Sequence, residues 1–243
     1  MCHRRMLSKS QIKLITSLKQ KKYRLQHGFF VVEGVKTITE LIHSDFELVT
    51  LYTTESFNFD DTKEEIISKT DLKRVSFLKT PNKALALFKI PNVKNIDLNQ
   101  LIVALDDVRD PGNLGTIIRL CDWFGVTDLV CSYETVDCFN PKVIQATMGS
   151  ISRVNITYLN LSEFLKENRL LSFGTFMDGA SIYSKALPKK GVLILGNEAN
   201  GISEEIEKLV TEKLSIPRFG NLRATESLNV ATATAIFLSE FKR

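Results

Sequence analysis

Gly191-Val192-Leu193-Ile194-Leu195-Gly196-Asn197-Glu198-Ala199-Asn200-Gly201-Ile202 is the stretch that decides the fold. Its first half is an apolar run bounded by glycines, the pattern of a strand covered on both faces. Gly196 and Gly201 then let the backbone turn sharply and approach a ligand closely. Ser203-Glu204-Glu205 reads as a helix start, a hydroxyl cap followed by two acids at the positive end of the helix dipole. Leu214-Ser215-Ile216-Pro217 gives a second short strand, and Glu226-Ser227-Leu228-Asn229-Val230 opens a small-sided last helix over 231–238. If the two strands are neighbours, Glu198, Ser227 and Asn229 converge at strand ends, where open α/β sheets hold ligands.

Upstream, strands are expected over 101–105, 128–132, 154–158 and 171–177. Helices are expected over 114–124, from Asn140-Pro141 to Met148-Gly149, and over 162–168, with 106–113 as a turn. This alternation predicts an α/β domain with a mostly parallel sheet covered by helices. A boundary near residue 96 separates it, as 96–243, from a small α/β domain over 1–95. In that first part a helix capped by Ser8 or Ser10 carries Ile12, Leu14, Ile15 and Leu18. A strand over 29–32, a helix over 35–43 and a strand over 48–52 follow. Next come a helix around Ile66-Ile67, a short strand from Val75, a short helix over 82–88 and a linker over 90–95.

Composition excludes several classes. At 243 residues, 44% hydrophobic and 25% charged, the sequence has no apolar run of bilayer length and no signal-peptide core. Cys2, Cys121, Cys131 and Cys138 form no CxxC pair, which argues against zinc and against a disulfide framework and for reduced thiols in a cytoplasmic protein. Residues 1–32 hold eight Lys/Arg (Arg4, Arg5, Lys9, Lys13, Lys19, Lys21, Lys22 and Arg24) and no acid, so a chain of net charge +4 carries −4 elsewhere. Such segregation fits an arm that meets a polyanion, and equally a solvated helix face. A mitochondrial presequence fits less well, because the arm runs straight into the strand at Phe29.

All three histidines lie within the first 43 residues, so the Gly-rich domain cannot hold a Ser-His-Asp or Cys-His centre. Neither GxGxxG after a strand nor GxxxxGK[ST] is present. Asp106-Asp107 reads as a turn cap in preference to a metal site. Arg119, Glu198 and Asn229 each have a bland reading alone: a surface arginine, a loop acid and a helix cap.

Together they carry a resemblance. Asn113-Leu114-Gly115-Thr116-Ile117-Ile118-Arg119 resembles the first motif of the SpoU/TrmH family of RNA ribose 2′-O-methyltransferases. The segment 195–202 is similar to the second motif, and Ile216-Pro217 with Glu226-Ser227-Leu228-Asn229-Val230 to the third. Residues 140–149 resemble the family's intervening helix, and residues 1–95, more weakly, the substrate-binding domain that many members carry. The resemblance implies a deep trefoil knot, against the general rarity of knots. It implies a homodimer whose active site is completed near the subunit interface, and an RNA substrate, rRNA or tRNA. It also implies S-adenosylmethionine bound around Gly196, Asn197, Gly201, Ile216, Pro217 and Leu228, with no metal.

The residue types suit that chemistry. Methyl transfer from a sulfonium needs an oxygen nucleophile placed in line, and positioning supplies much of the gain. Arg119 is the family's candidate for activating the hydroxyl. An arginine stays protonated, which favours orienting phosphate and stabilising a forming alkoxide over abstracting the proton. Glu198, Ser227 and Asn229 would hold the arginine, the cofactor loop and the ribose. Two departures stand out: the link 218–225 is about three residues longer than the family's usual one, and Arg218 replaces a position usually apolar. Rival readings are a non-catalytic RNA-binding relative, against which Arg119, Glu198 and Asn229 speak, and a dinucleotide enzyme, which lacks its glycine fingerprint.

Overall fold

The computed structural model describes residues 5–57, 59, 63–184, 186–220 and 227–243. The chain separates into two compact units, Met1–Asn92 with Asp137–Ser152, and Val93–Val136 with Arg153–Arg243.

The first stretch runs α1 (Lys9–Ser17), α2 (Lys21–His27), β1 (Phe29–Glu33), α3 (Val35–Ile42), β2 (Leu48–Thr53), β3 (Glu64–Ile66), α4 (Lys69–Val75) and β4 (Ala84–Lys89). Ser8 starts α1 through a capping box: its Oγ accepts from Gln11 N at 3.2 Å, and Gln11 Oε1 accepts from Ser8 N at 2.9 Å. The strands form one sheet in the order β1-β4-β2-β3. The helix expected over 82–88 is instead β4, antiparallel to both β1 and β2. Alanine and leucine favour helices in isolation, but a central strand buries them on both faces and tertiary packing prevails. Leu85 and Leu87 join Val31, Ile15 and Leu18 in one core, while Phe88 stacks against Phe30 at 6.0 Å. The helix expected around Ile66-Ile67 is β3, and α4 occupies the place of the expected strand at Val75. Its start is Ser68, whose Oγ accepts from Asp71 N at 3.0 Å.

The second stretch runs β5 (Leu101–Leu105), α5 (Pro111–Trp123), β6 (Asp128–Cys131), α6 (Pro141–Thr147), β7 (Asn155–Tyr158), α7 (Leu161–Asn168), β8 (Ser172–Ser181), β9 (Gly191–Leu195), α8 (Glu204–Glu207), β10 (Glu212–Ser215) and α9 (Val230–Phe241). Six strands form a wholly parallel sheet in the order β10-β8-β9-β5-β6-β7. β5 and β9 are buried throughout and pair from Leu101↔Gly191 to Leu105↔Leu195, so they end level with each other. β8 stands between β9 and β10, so the adjacency on which convergence of Glu198, Ser227 and Asn229 is conditioned does not hold. Helix α5 begins three residues before its expected start, because Asp110 caps it and Pro111 is its first residue. One face of the sheet, with Ile102, Ala104, Val192 and Ile194, packs on Leu161, Phe164 and Leu165 of α7. Helix α9 lies against α5, and Phe241 meets Phe173 edge-on at 5.4 Å.

Helix α6, although it lies within the stretch read from sequence as the second domain, packs with the first unit. Phe139, just before it, tilts against Phe30 at 4.7 Å. Arg24, only 2% exposed, anchors this segment: Nε and Nη2 reach Asp137 Oδ2 at 2.9 and 2.5 Å, and Nη1 donates to Leu18 O and Lys19 O. A buried guanidinium with this many partners is structural, so the exposed basic set of the arm is Arg5, Lys9, Lys13, Lys19, Lys21 and Lys22. Arg4, with the rest of residues 1–4, lies outside the described residues.

Candidate functional site

In a parallel sheet all strands present their C-terminal ends to one edge, and the loops after β5 and β9 leave that edge side by side. The β9 loop is closed by its own backbone: Asn197 N donates to Gly201 O and Gly201 N to Asn197 O, both at 2.9 Å. A Cβ on Gly196 would lie 2.1 Å from the carbonyl carbon of Gly201, so no side chain fits there. Gly201 itself has φ +70, the left-handed region that glycine enters freely. Asn197 Oδ1 accepts from Ala199 N and Asn200 N, which completes the turn.

The β5 loop is held from several sides. Asp106 accepts from Ser203 N at 2.7 Å, so the start of α8 is tied by a carboxylate and the expected hydroxyl cap of Ser203 is not made. Asp107 has φ +60. This conformation costs a non-glycine residue of order 1 kcal/mol, least for Asp and Asn. It is held by Ser132 Oγ accepting from its N–H at 3.0 Å and by Asn197 Nδ2 donating to its carbonyl at 2.7 Å. Arg109 Nε donates to Asp107 Oδ1 at 2.7 Å.

Glu198 joins the two loops. Its carboxylate accepts from the backbone N–H of Arg109 at 3.2 Å and of Asp110 at 3.1 Å, and from Asn113 Nδ2 at 3.0 Å. Partial burial pushes its pKa up, but these donors outweigh that and hold it below the ordinary glutamate value. Asn113 Oδ1 accepts from Asn229 Nδ2 at 2.8 Å, and Asn229 Oδ1 caps α9 by accepting from Ala231 N and Thr232 N. The chain Glu198–Asn113–Asn229 therefore connects all three sequence motifs. Packing of α9 on α5, and not adjacency of β9 and β10, brings them together.

The remaining expected site residues are placed differently. Arg119 lies six residues beyond Asn113 on α5, exposed, with no hydrogen bond or ion pair among the described residues. Glu198 does not hold it. Thr116, Arg119 and Trp123 share one exposed face of α5, and Trp123 is 84% exposed. Ser227 is exposed, Leu228 is 49% exposed, and Ile216 and Pro217 after β10 are half-buried. Most of the longer link at 218–225 lies outside the described residues. Sequence reading missed Asp107, Arg109 and Ser132 as members of the cluster. The Asp-Asp pair was visible, but nothing in a sequence reports a left-handed backbone at an aspartate.

Residues 100–239 match the model of the SpoU rRNA Methylase family, and residues 9–86 that of the MRM3-like substrate binding domain. The chain is 27% identical, over 91% of each sequence, to the 23S rRNA (guanosine(2553)-2'-O)-methyltransferase RlmP of Bacillus subtilis (strain 168). A putative RNA methyltransferase of the TrmH family from Porphyromonas gingivalis has a solved structure with a TM-score of 0.89 and 37% identity, covering 98% of both chains. The AdoMet-bound rRNA methyltransferase from Sinorhizobium meliloti gives 0.86 and 27%, covering 98% of this chain and 97% of that one.

Proposed function

Because the chain belongs to the SpoU rRNA methylase family, we propose that it methylates a ribose 2′-hydroxyl of rRNA or tRNA with S-adenosylmethionine. One observation carries this reading: the Glu198–Asn113–Asn229 chain gathers three distant motifs at the C-terminal edge of a parallel sheet, on the helix that also bears Arg119, exposed and without a partner among the described residues. The named activities of the Bacillus and Sinorhizobium relatives support it.

The residues present suit the cofactor. It carries no phosphate, and this edge offers no glycine-rich phosphate cradle. The edge offers instead the uncharged backbone of Gly196, Asn197 and Gly201, with the apolar side chains of Ile216, Pro217 and Leu228 left partly open. When bound, the cofactor supplies an electrophilic methyl carbon. Arg119, a permanent cation with no hydrogen-bond partner among the described residues, takes a substrate phosphate or the oxygen on which negative charge develops. Glu198 and Asn229 act as positioning residues: they fix the start of α5 against the β9 loop, and with it the direction in which Arg119 projects. Ser227 stands at the entrance to the α9 turn, where a ribose hydroxyl would need a partner. The first unit, with its exposed lysines and its match to a substrate-binding domain, grips the RNA.

A homodimer belongs to the same reading. It is supported by the exposed Trp123 on the Arg119 face, a large aromatic that a second copy would cover. The chain from β9 to the sheet edge at β10 and back to α9 on α5 is the path on which a trefoil knot would form. Cys121, Cys131 and Cys138 are buried and form no disulfide among the described residues, and no described helix is long and apolar enough to cross a membrane; a cytoplasmic site of action belongs to the same reading.

Calorimetric titration with S-adenosylmethionine, followed by transfer of labelled methyl into rRNA and tRNA and digestion to nucleosides, tests the reading. Label in a 2′-O-methylnucleoside is expected. Label on a base, or cofactor binding without transfer to any RNA fraction, would contradict it.

A further inference from the structure

Arg109 is not among the residues that the motifs assign, yet it is tied into the cluster through its backbone N–H on Glu198 and its Nε on Asp107. Its guanidinium uses one donor, Nε, on Asp107, and neither Nη group has a partner among the described residues. The side chain is 69% exposed, but it is not a loose surface arginine. Its backbone N–H is fixed on Glu198, and its tether Asp107 sits in a left-handed conformation held by Asn197 and Ser132. Hydrogen bonds to Asn197 and Glu198 in the loop after β9 and to Ser132 in the loop after β6 thus converge on one aspartate–arginine pair. The result is a guanidinium with a fixed root, a fixed inner edge and two outward donors, the geometry that suits bidentate contact with an oxyanion.

The electrostatics run the same way. Asp107, Glu134 and Glu198 act on Arg109 at this edge and would repel a polyanion. Arg109 offsets part of that charge, so phosphate can approach the cluster without meeting an unrelieved acidic wall.

Resting on the methyltransferase reading above, we infer that Arg109 is a substrate-binding residue that takes a phosphodiester of the RNA next to the polar cluster, with Asp107 as its positioning residue. The other anion the site would meet, the cofactor's carboxylate, is separated by the test.

Four variants decide it: Arg109→Gln, Arg109→Lys, Asp107→Asn and, as a remote exposed control, Lys166→Gln on α7. Binding of a fluorescein-labelled single-stranded RNA is measured against salt. KM and kcat for methyl transfer into total rRNA, cofactor affinity by calorimetry, and Tm are measured alongside. Arg109→Gln should lower the slope of log K against log salt by about 0.7, the loss of one phosphate contact. It should raise KM roughly 10-fold, as for a lost hydrogen bond to a charged group, with kcat, cofactor affinity and Tm kept. Arg109→Lys should keep the slope and recover part of KM. Asp107→Asn, which tolerates the same backbone, should keep the slope and raise KM, a split that a structural role would not give. An unchanged slope and KM in Arg109→Gln, or a fall in cofactor affinity, overturns the inference. If the unmutated protein binds this RNA but methylates none, the wider reading fails while the slope still decides Arg109. If it binds no RNA, both fail.

Discussion

The loop cluster and the exposed face of α5 treat their charged groups in opposite ways. At the cluster, Glu198 has three neighbouring donors and Asp106 and Asp107 are bonded into the turns. Two turns along α5, Arg119 has none among the described residues. A charged group whose hydrogen bonds are satisfied inside the fold sets geometry. One left unsatisfied beside such a frame is where a ligand can supply the missing partner. On the proposed reading, Glu198 and Asn229 position and Arg119 acts.

This comparison can be broken in several places. The largest effect is expected at Gly196, where an added Cβ meets backbone that cannot swing away. Gly196→Ala should cost more than about 4 kcal/mol, read as a fall in the urea midpoint, whereas Gly201→Ala, with φ +70 and open space around it, should cost about 1–2 kcal/mol. Equal losses would show that close approach of the two turns is not what holds the cluster. Next is the buried cation of the first unit. Arg24→Leu strands Asp137 and should cost about 3–5 kcal/mol, leaving the salt dependence of RNA binding unchanged. Lys21→Gln with Lys22→Gln should do the reverse, lowering the salt slope by about 1.4 with Tm kept. A changed slope in Arg24→Leu would return it to the set of arm residues proposed to meet RNA.

The smallest effect is at Glu198. Glu198→Gln keeps the shape and loses a charge-assisted set of bonds at a solvent-exposed position, a cost of about 1 kcal/mol. Its pKa is lowered in the folded state, so this stabilisation is present above the unfolded value of 4.5 and is lost as pH falls through the lower folded one. The difference between the two proteins should hold from neutral pH to about 5 and close below 4.5. A gap that persists in acid would mean the carboxylate's charge contributes nothing.

The second unit was largely legible in the sequence, because 101–105 and 191–195 are short apolar runs between turn signals, and a parallel sheet buries such strands on both faces. In the first unit, β4 is likewise an apolar run between Pro81-Asn82 and Pro91-Asn92, but its alanines and leucines favour a helix, and its identity as a strand comes from β1 and β2 on either side. The motif residues were also legible, but their partners were not. Glu198 reaches Asn113 and the backbone of 109–110, not Arg119, because the pairing of β5 with β9 sets its neighbours. Asn229 enters through helix packing that no local pattern encodes. Arg24 reads as one basic residue among eight until the fold closes Asp137 over it.

The most direct test of the central claim is transfer of labelled methyl into total RNA by the unmutated protein and by Arg119→Ala, with cofactor affinity and Tm measured on the same samples. An exposed arginine that acts only on substrate predicts a fall in rate of about 100- to 1,000-fold, the range for removing one transition-state donor, with cofactor affinity and Tm unchanged. Full activity in Arg119→Ala, or a parallel loss of fold or of cofactor binding, would contradict it.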